Sequence, residues 1–179
     1  RHGTAGQEAG GTLDIRIGIN SGEMVVGNMG SRQVFDYTVI GNEVNTAARL
    51  EPLNKAFATR ILVSAATRRE AEAQRPGRFA FRALGSVRLK GRAEPLEIFE
   101  LAGRREALGL PRQESLERFA QAMALYQARR FDDALRLFRE ALARQPDDGP
   151  AAFFAMRCEE FIGQPPPADW DGVLAQTEK

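Results

Sequence analysis

The residues best suited to chemistry in this chain are Asn45 and Arg49, which lie in the segment YTVIGNEVNTAARLE at residues 37–51. Because they are four positions apart, a helix would place both side chains on one face. An amide beside a guanidinium, just past the end of a strand, could engage a phosphorylated sugar. Without further context the same pair is more often part of a solvated helix face.

The elements that must position this pair can be predicted from the pattern around it. The apolar run at residues 37–40 indicates a strand, which Gly41 interrupts, and residues 42–57 follow a helical pattern. Asn42 is the predicted N-cap, because a short side-chain acceptor can bind a free backbone N–H of the first turn. A strand that passes directly into a helix would therefore present Asn45 and Arg49 near the strand end.

Other segments on both sides complete a mixed pattern. Further strands are predicted at residues 13–20, 24–26, 60–64, 79–89 and 96–101, and a short polar helix at residues 65–73. Residues 27–33 are predicted as a connection, and Lys90-Gly91 as the turn between two strands. Strands and helices mixed in this way indicate an α+β domain over roughly residues 12–102.

Composition restricts the possible classes of protein. The net charge of +1 over 179 residues gives no electrostatic argument for nucleic acid as a partner. No apolar run approaches the roughly 18 residues that a membrane-spanning helix needs. Cys158 is the single cysteine, which excludes an intrachain disulfide and fits a reducing, cytoplasmic compartment. His2 is the single histidine, which argues against histidine-based acid–base chemistry and histidine–cysteine zinc sites.

Beyond residue 102 the pattern becomes helical. Residues 103–112 are predicted as a linker, residues 113–163 as three helices, and residues 164–179 as a proline-rich tail from which Trp170 packs back onto the helices. The segment RRFDDALRLFREALARQPDD resembles a tetratricopeptide repeat, with Ala134, Phe138, Ala141 and Pro146 at its small, aromatic, small and proline positions. One repeat cannot bury its own apolar face, so these helices are expected to pack on the preceding domain, on each other or on a protein partner.

Residues 13–101 as a whole resemble the class III nucleotide cyclases. Besides the segment at 37–51, the resemblance rests on GINSGEMVVGNMGS before it and VRLKGRAEPLEIFEL after it. It covers the C-terminal part of the catalytic domain and implies a ferredoxin-like fold. It also implies adenylate cyclase activity of the bacterial type, in which ATP becomes cyclic AMP and pyrophosphate by attack of the ribose 3′-oxygen on the α-phosphate. Active sites of this family form at a head-to-tail dimer interface, so a homodimer is expected.

The resemblance assigns roles to five residues. Asn45 matches the asparagine that orients the ribose, and Arg49 the arginine that stabilises charge at the α-phosphate. Thr38 matches the purine-selecting position, where a hydroxyl can accept from the adenine amino group, and Val39 would contribute backbone contacts beside the base. Lys90 matches a lysine that meets the terminal phosphates. Read alone, Thr38 would be an ordinary strand residue and Lys90 an exposed turn residue.

The chain also departs from the family pattern. Asn42 stands where aspartate is usual and Thr46 where leucine is common, while Glu43 is expected to be a surface carboxylate. The family binds two Mg²⁺ or Mn²⁺ ions through a pair of aspartates in the first half of the domain, and Asp14 and Asp36 occupy other motifs. Since Arg1 is not an initiator methionine, the chain is expected to be the C-terminal part of a longer protein, which upstream segments could anchor in a membrane, and to be inactive alone.

Three alternatives stay open at this point. The chain could be a catalytically degenerate cyclase homologue that acts as a regulatory dimerisation partner. It could be mainly a protein-binding module centred on residues 113–163. It could also be a guanylate cyclase, which competition between ATP and GTP would decide.

Overall fold

A computed structural model describes residues 14–31 and 34–175. The strands are β1 (Ile17–Ile19), β2 (Val25–Ser31), β3 (Val34–Ile40), β4 (Ile61–Ser64), β5 (Phe79–Arg88), β6 (Leu96–Arg104) and β7 (Leu174–Ala175). The helices are α1 (Asn42–Phe57), α2 (Ala65–Gln74), α3 (Leu110–Gln127), α4 (Phe131–Arg144) and α5 (Gly149–Gly163), with a 3₁₀ turn at Arg105–Ala107.

The strands form one sheet and one separate ribbon. The five-stranded sheet has the order β1-β4-β6-β5-β7. Its outer pairs, β1 with β4 and β5 with β7, are parallel, whereas β4–β6 and β5–β6 are antiparallel. Strands β2 and β3 form an antiparallel ribbon that leads through Gly41 into α1. The mixture of strands and helices predicted for the first half is confirmed, and the arrangement fits a ferredoxin-like cyclase fold.

Several predicted elements differ from the observed ones. The helix at residues 42–57 is confirmed to the residue, but β1 is shorter than the predicted strand, whose first residue lies outside the described part. The prediction of a connection at residues 27–33 is wrong for residues 27–31, because β2 extends through them and pairs with β3. Strand β7 is absent from the sequence-based prediction, since a two-residue strand carries no periodic pattern.

The predicted N-cap of α1 is also wrong. Gly41 occupies the cap position, and Asn42 is already the first helical residue, so its side chain does not cap the helix. The carbonyl of Gly41 accepts the first helical hydrogen bond from the backbone N–H of Asn45, at 3.2 Å. The N-cap therefore lies one residue earlier, at Gly41, than the capping preference of the Asn42 side chain predicts.

A single apolar core joins the sheet to the C-terminal helices. It includes Leu62, Leu84 and Ile98 of the sheet together with Phe119 of α3 and Phe154 of α5. The predicted packing of Trp170 is confirmed, since its ring lies edge-on to aromatic rings of α3, α4 and α5 at 5.4–5.8 Å. The helices therefore pack on the sheet and on each other, which are two of the three predicted options.

The segment predicted as a linker, residues 103–112, holds the end of β6, the 3₁₀ turn and the start of α3. The division of the chain into separate domains at those boundaries stays a prediction. None of the helices in the described ranges combines the length and the apolar character that a membrane crossing requires.

A buried cluster of charges lies between the sheet and the helices. The Arg82 guanidinium on β5 donates to Glu100 on β6 (Nε to Oε2, 2.6 Å) and to both carboxylate oxygens of Asp148 (2.5 and 2.7 Å). Asp148 Oδ2 also accepts from Arg112 at 2.9 Å and from Ser115 at 3.0 Å, both on α3. The side chains of Arg82 and Asp148 are 2% and 0% exposed, so the charges compensate each other away from water.

Asp148 is the centre of this cluster and also the N-cap of α5, because its Oδ1 accepts from the backbone N–H of Ala151 at 3.1 Å. Burial is the largest single influence on its pKa and raises it. The charge and hydrogen bonds of Arg82, the Ala151 N–H and the charge of Arg112 together outweigh burial, so the pKa of Asp148 lies below its ordinary value of 3.8.

Two glycines allow close contact with α1. A Cβ on Gly18 of β1 would lie 2.5 Å from both the Ala47 carbonyl oxygen and the Glu51 backbone nitrogen of α1. A Cβ on Gly149, the first residue of α5, would lie 2.5 Å from the Phe57 carbonyl oxygen at the end of α1. Helix α1 is therefore in close backbone contact with β1 at its middle and with α5 at its end.

We expect Asp148→Asn to lower the free energy of unfolding by about 3–5 kcal/mol, since one member of a buried charge cluster loses its charge while its partners stay buried. Urea denaturation at pH 7 measures this, with the exposed Arg139→Gln as a control that changes little. Because the folded-state pKa of Asp148 is depressed, its stabilising contribution is complete above about pH 4 and is lost as the pH falls through the folded-state pKa. The variant should lack that acid-dependent component, and an unchanged acid dependence would contradict the assignment.

We expect Gly18→Ala to cost about 1–3 kcal/mol of unfolding free energy, because the added methyl group meets backbone atoms of α1 that cannot rotate away. Gly163→Ala at the end of α5 is the matched control, since a Cβ there meets nothing within 4 Å. Denaturation of both variants in parallel tests this, and equal stability would show that α1 can shift freely away from β1.

Candidate active site

Asn45 and Arg49 lie on α1, one turn apart, in the arrangement predicted from the sequence. Asn45 is exposed and Arg49 is half-buried. Strand β3 ends at Ile40 and α1 begins at Asn42, so both side chains project within two turns of a strand end. An amide and a guanidinium are thus presented on a rigid helix whose other face is packed against β1.

Lys90 is brought to this helix by the turn between β5 and β6. The Arg49 guanidinium donates from Nη1 to the backbone carbonyl of Lys90, across 41 positions of sequence. Gly91 follows with a φ of 73°, and a Cβ there would lie 3.4 Å from Arg49 Nη1. A left-handed conformation in contact with a guanidinium favours glycine, so the turn at Lys90-Gly91 lies directly on Arg49.

Thr38 and Val39 lie on β3, opposite Gly27 and Val26 of β2, and both are exposed. Among the described residues, no hydrogen bond or ion pair joins Thr38 or Val39 to Arg49. The structure therefore gathers Arg49 and the Lys90 turn at one place and leaves Thr38 and Val39 on the adjoining ribbon. The five roles given by the resemblance stay predictions.

Polar side chains from two other segments contact the first turns of α1. Asn20, just after β1, donates from Nδ2 to the Glu43 carbonyl oxygen at 3.0 Å and to Glu43 Oε2 at 2.7 Å. Arg92 Nη1 lies 3.5 Å from Glu43 Oε1 and donates to Thr46 Oγ1 at 3.2 Å. Thr46 Oγ1 in turn donates to the Asn42 carbonyl oxygen at 2.9 Å.

These contacts change the interpretation of Glu43 and Thr46. Glu43 is half-buried between Asn20 and Arg92, so the expectation of a simple surface carboxylate is wrong. Thr46, a departure from the family pattern, is buried and uses its hydroxyl both to donate and to accept. Sequence reasoning missed Arg92 because its partners lie 46 and 49 positions away, and no periodic pattern connects such distances.

Charge at this place favours an anionic ligand. Among the described side chains around the turn and the face of α1, Arg49, Lys90 and Arg92 are positive and Glu43 is negative. A guanidinium and an ammonium suit phosphate oxygens as a forked donor and as a point charge respectively. The arrangement can bind a phosphorylated ligand across α1 and the Lys90 turn.

The described residues do not provide a metal site. Within residues 14–31 and 34–175, no group of three or more His, Cys, Asp or Glu side chains could hold a metal ion. Asp14 forms exposed ion pairs with Arg16 and with Arg60, each with a nitrogen–oxygen distance of 3.7 Å. His2 and the side chain of Asp36 lie outside the described part of the chain.

Comparison with known proteins identifies the family. The model described as "Adenylate and Guanylate cyclase catalytic domain" matches residues 3–103, which is more than half of the chain. The chain therefore belongs to the adenylate and guanylate cyclase catalytic domain family. The match ends one residue before the end of β6, so it includes α1 and the Lys90 turn.

Two curated relatives illustrate this similarity. The terminal-differentiation-specific adenylate cyclase of Dictyostelium discoideum is 30% identical over 152 residues, which are 84% of this chain and 7% of that protein. Adenylate cyclase 1 of Rhizobium meliloti (strain 1021) is 39% identical over 99 residues, which are 54% of this chain and 14% of that protein. The chain thus spans less than a fifth of the length of either relative.

A solved structure is similar over a comparable part of the chain. The adenylyl cyclase CyaB from P. aeruginosa is 36% identical, with a TM-score of 0.43, over 52% of this chain and 45% of that one.

Proposed function

We propose that this chain is the C-terminal part of an adenylate cyclase catalytic domain, which converts ATP to cyclic AMP and pyrophosphate at a dimer interface in signal transduction. The observation that carries the proposal is Arg49 held against the Lys90 turn, with Asn45 one turn away on α1, inside a segment that the family model matches. The similarity to the adenylate cyclases of Dictyostelium and Rhizobium supports ATP as the substrate in this proposal.

The proposed reaction forms a bond from the ribose 3′-oxygen to the α-phosphorus, breaks the bond from that phosphorus to the β-phosphate oxygen, and releases the 3′-hydroxyl proton. Negative charge builds up on the α-phosphate oxygens. Arg49 has five N–H donors and uses one on the Lys90 carbonyl, which leaves donors for those oxygens. Asn45 would orient the ribose through its amide, and Lys90 would bind the terminal phosphates.

The adenine base would lie against β3. There the Thr38 hydroxyl would accept from the adenine amino group, and the backbone of Val39 would contact the base edge. Both residues are on the exposed ribbon that leads into α1, so a base bound there is close along the chain to the ribose-orienting helix.

The ribbon supports assembly into a homodimer through the cyclase domain. Tyr37 is 75% exposed and Val25 is 62% exposed, and Met24, Val26 and Ile40 are exposed beside them. An exposed group of large apolar side chains is typical of an interaction surface. We propose that this surface packs against the second subunit, so that each active site takes residues from both.

The proposed enzyme would use two Mg²⁺ or Mn²⁺ ions, which would neutralise phosphate charge when bound. As the resemblance implies, we propose that the ligands are a pair of aspartates in the first half of the catalytic domain. A chain without that pair is expected to be inactive alone.

We further propose that α3, α4 and α5 form a small module of the tetratricopeptide type attached to the catalytic domain. The similarity to the Dictyostelium enzyme covers 84% of the chain and so extends beyond residue 103. The apolar faces of these helices are used within the chain, as Phe119, Phe138 and Phe154 are buried in the shared core. This favours a structural role over that of a free-standing protein-binding module, and a protein partner would bind the outer surface.

A cytoplasmic location is part of the proposal. It is supported by the single cysteine, Cys158, which is buried in α5. Burial raises the pKa of its thiol to about 12.

We expect Asn45→Ala and Arg49→Ala each to lower cyclic AMP formation by roughly 10²–10³-fold in the full-length protein that contains this sequence, because one preorganised group at the reacting centre is removed. Arg139→Ala on α4 is the matched control and should leave the rate unchanged, since its exposed partner is Glu159. Rates are measured at saturating ATP with Mg²⁺ and with Mn²⁺. Near-wild-type rates for both α1 variants would contradict the assignment, whereas a wild-type protein that forms no cyclic AMP would favour the degenerate homologue.

We expect the full-length protein to prefer ATP over GTP, and Thr38→Ala to reduce that preference by about 3- to 10-fold, which corresponds to the loss of one hydrogen bond of typical net strength. The ratio of kcat/KM for the two nucleotides, measured in competition, is the readout. A wild-type preference for GTP would instead establish the guanylate cyclase alternative. An unchanged ratio in the variant would remove Thr38 from base recognition.

A further inference from the structure

Arg92 joins separate segments of the chain beside the proposed site. It lies in the turn between β5 and β6, two residues after Lys90, and reaches α1 at Glu43 (3.5 Å) and Thr46 (3.2 Å). Asn20, at the end of β1, binds the other carboxylate oxygen of Glu43 at 2.7 Å. One carboxylate thus links the start of α1 to both β1 and the β5–β6 turn.

The turn that carries Lys90 is attached to α1 at two points. It is closed by a hydrogen bond from the Arg92 backbone N–H to the Leu89 carbonyl at 3.1 Å. Its first attachment is the Lys90 carbonyl, which accepts from Arg49, and its second is the Arg92 side chain. A second attachment to α1 constrains the orientation of the turn as well as its distance from the helix.

The first attachment depends on the second. The Lys90 carbonyl can orient the Arg49 guanidinium only while the turn keeps its place, and the turn contains Gly91, the residue type with the greatest backbone freedom. Glu43 and Thr46 lie three residues apart and Arg49 lies three residues beyond Thr46, so Thr46 is the neighbour of both along α1. Arg92 and Arg49 therefore hold the turn at successive turns of the helix.

We propose that Arg92 is a positioning residue: by binding Glu43 and Thr46 it holds the Lys90 turn on α1, so that the Lys90 carbonyl keeps Arg49 oriented toward the α-phosphate. This inference rests on the proposed cyclase function. Arg92 acts through Arg49, because its Nη1 contacts Glu43 and Thr46 on α1 and so holds the turn whose carbonyl binds Arg49. Glu43 has the same role from the side of α1.

The test uses Arg92→Gln in the full-length protein, with Arg139→Gln as the matched control of an exposed arginine that also pairs with a glutamate. We expect kcat for cyclic AMP formation to fall by about 10- to 100-fold, as for a misplacement of a catalytic group by about 1 Å. Thermal unfolding of both variants should stay close to wild type, which shows that the loss is not one of folding. Glu43→Gln, which removes the charge from the other partner, should lower kcat in the same direction.

The deciding measurement repeats Arg92→Gln in an Arg49→Ala background. If Arg92 works through Arg49, the double variant is no slower than Arg49→Ala, because groups that act as a unit are not additive. If the two losses multiply, Arg92 acts independently of Arg49, through the position of Lys90, by direct contact with the nucleotide or by general structural support, and the positioning of Arg49 by Arg92 is overturned.

Failure of this inference can be told apart from failure of the proposed function. A slow Arg49→Ala variant beside an Arg92→Gln variant as fast as Arg139→Gln overturns only the role of Arg92. A wild-type protein that forms no cyclic nucleotide, or an Arg49→Ala variant as active as wild type, overturns the proposed function and this inference with it.

Discussion

The contact of α1 with its neighbours is the constraint on which the rest of the structure depends. Gly18 lets the backbone of β1 touch the middle of α1, and Gly149 lets the start of α5 touch its end. Both contacts involve backbone atoms, which cannot yield as side chains do. A helix fixed in this way can present Asn45 and Arg49 at a defined position, as the proposed reaction at phosphorus would require of its catalytic groups.

The buried charges between sheet and helices raise a question of cost. Removing Arg82 and Asp148 from water is unfavourable, and a well-packed apolar cluster of the same size would often be at least as stable. Unlike apolar packing, the charged hydrogen bonds of the cluster require particular partners at particular positions. Arg82 needs Glu100 on one side and Asp148 on the other, and Asp148 also needs α3 and the first N–H groups of α5. The observed placement of the helices on the sheet brings these partners together from β5, β6, α3 and the start of α5.

Much of this fold can be predicted from local patterns, and the failures have a common cause. The bounds of helix α1 are predictable to the residue because its period and the preceding apolar run agree. Its cap is not, because the capping preference of Asn42 ignores the turn geometry at Gly41. In the candidate site, the Asn45 and Arg49 pair can be predicted from its i, i+4 spacing. The contacts of Arg92 cannot, because they join residues more than 40 positions apart and no local pattern connects such residues. The resemblance to a family supplies the roles, which no pattern of one sequence could provide.

The edges of the sheet have a consequence for how copies of the protein can meet. On one side β1 has three residues and offers little backbone to pair with. On the other side the ladder between β5 and β6 is interrupted twice, and the end of β5 at Val87 and Arg88 is already occupied by β7. Short, irregular or covered edges are poor templates for a further strand. Within the described residues, the two edges of this sheet therefore offer little backbone to a strand of a second molecule.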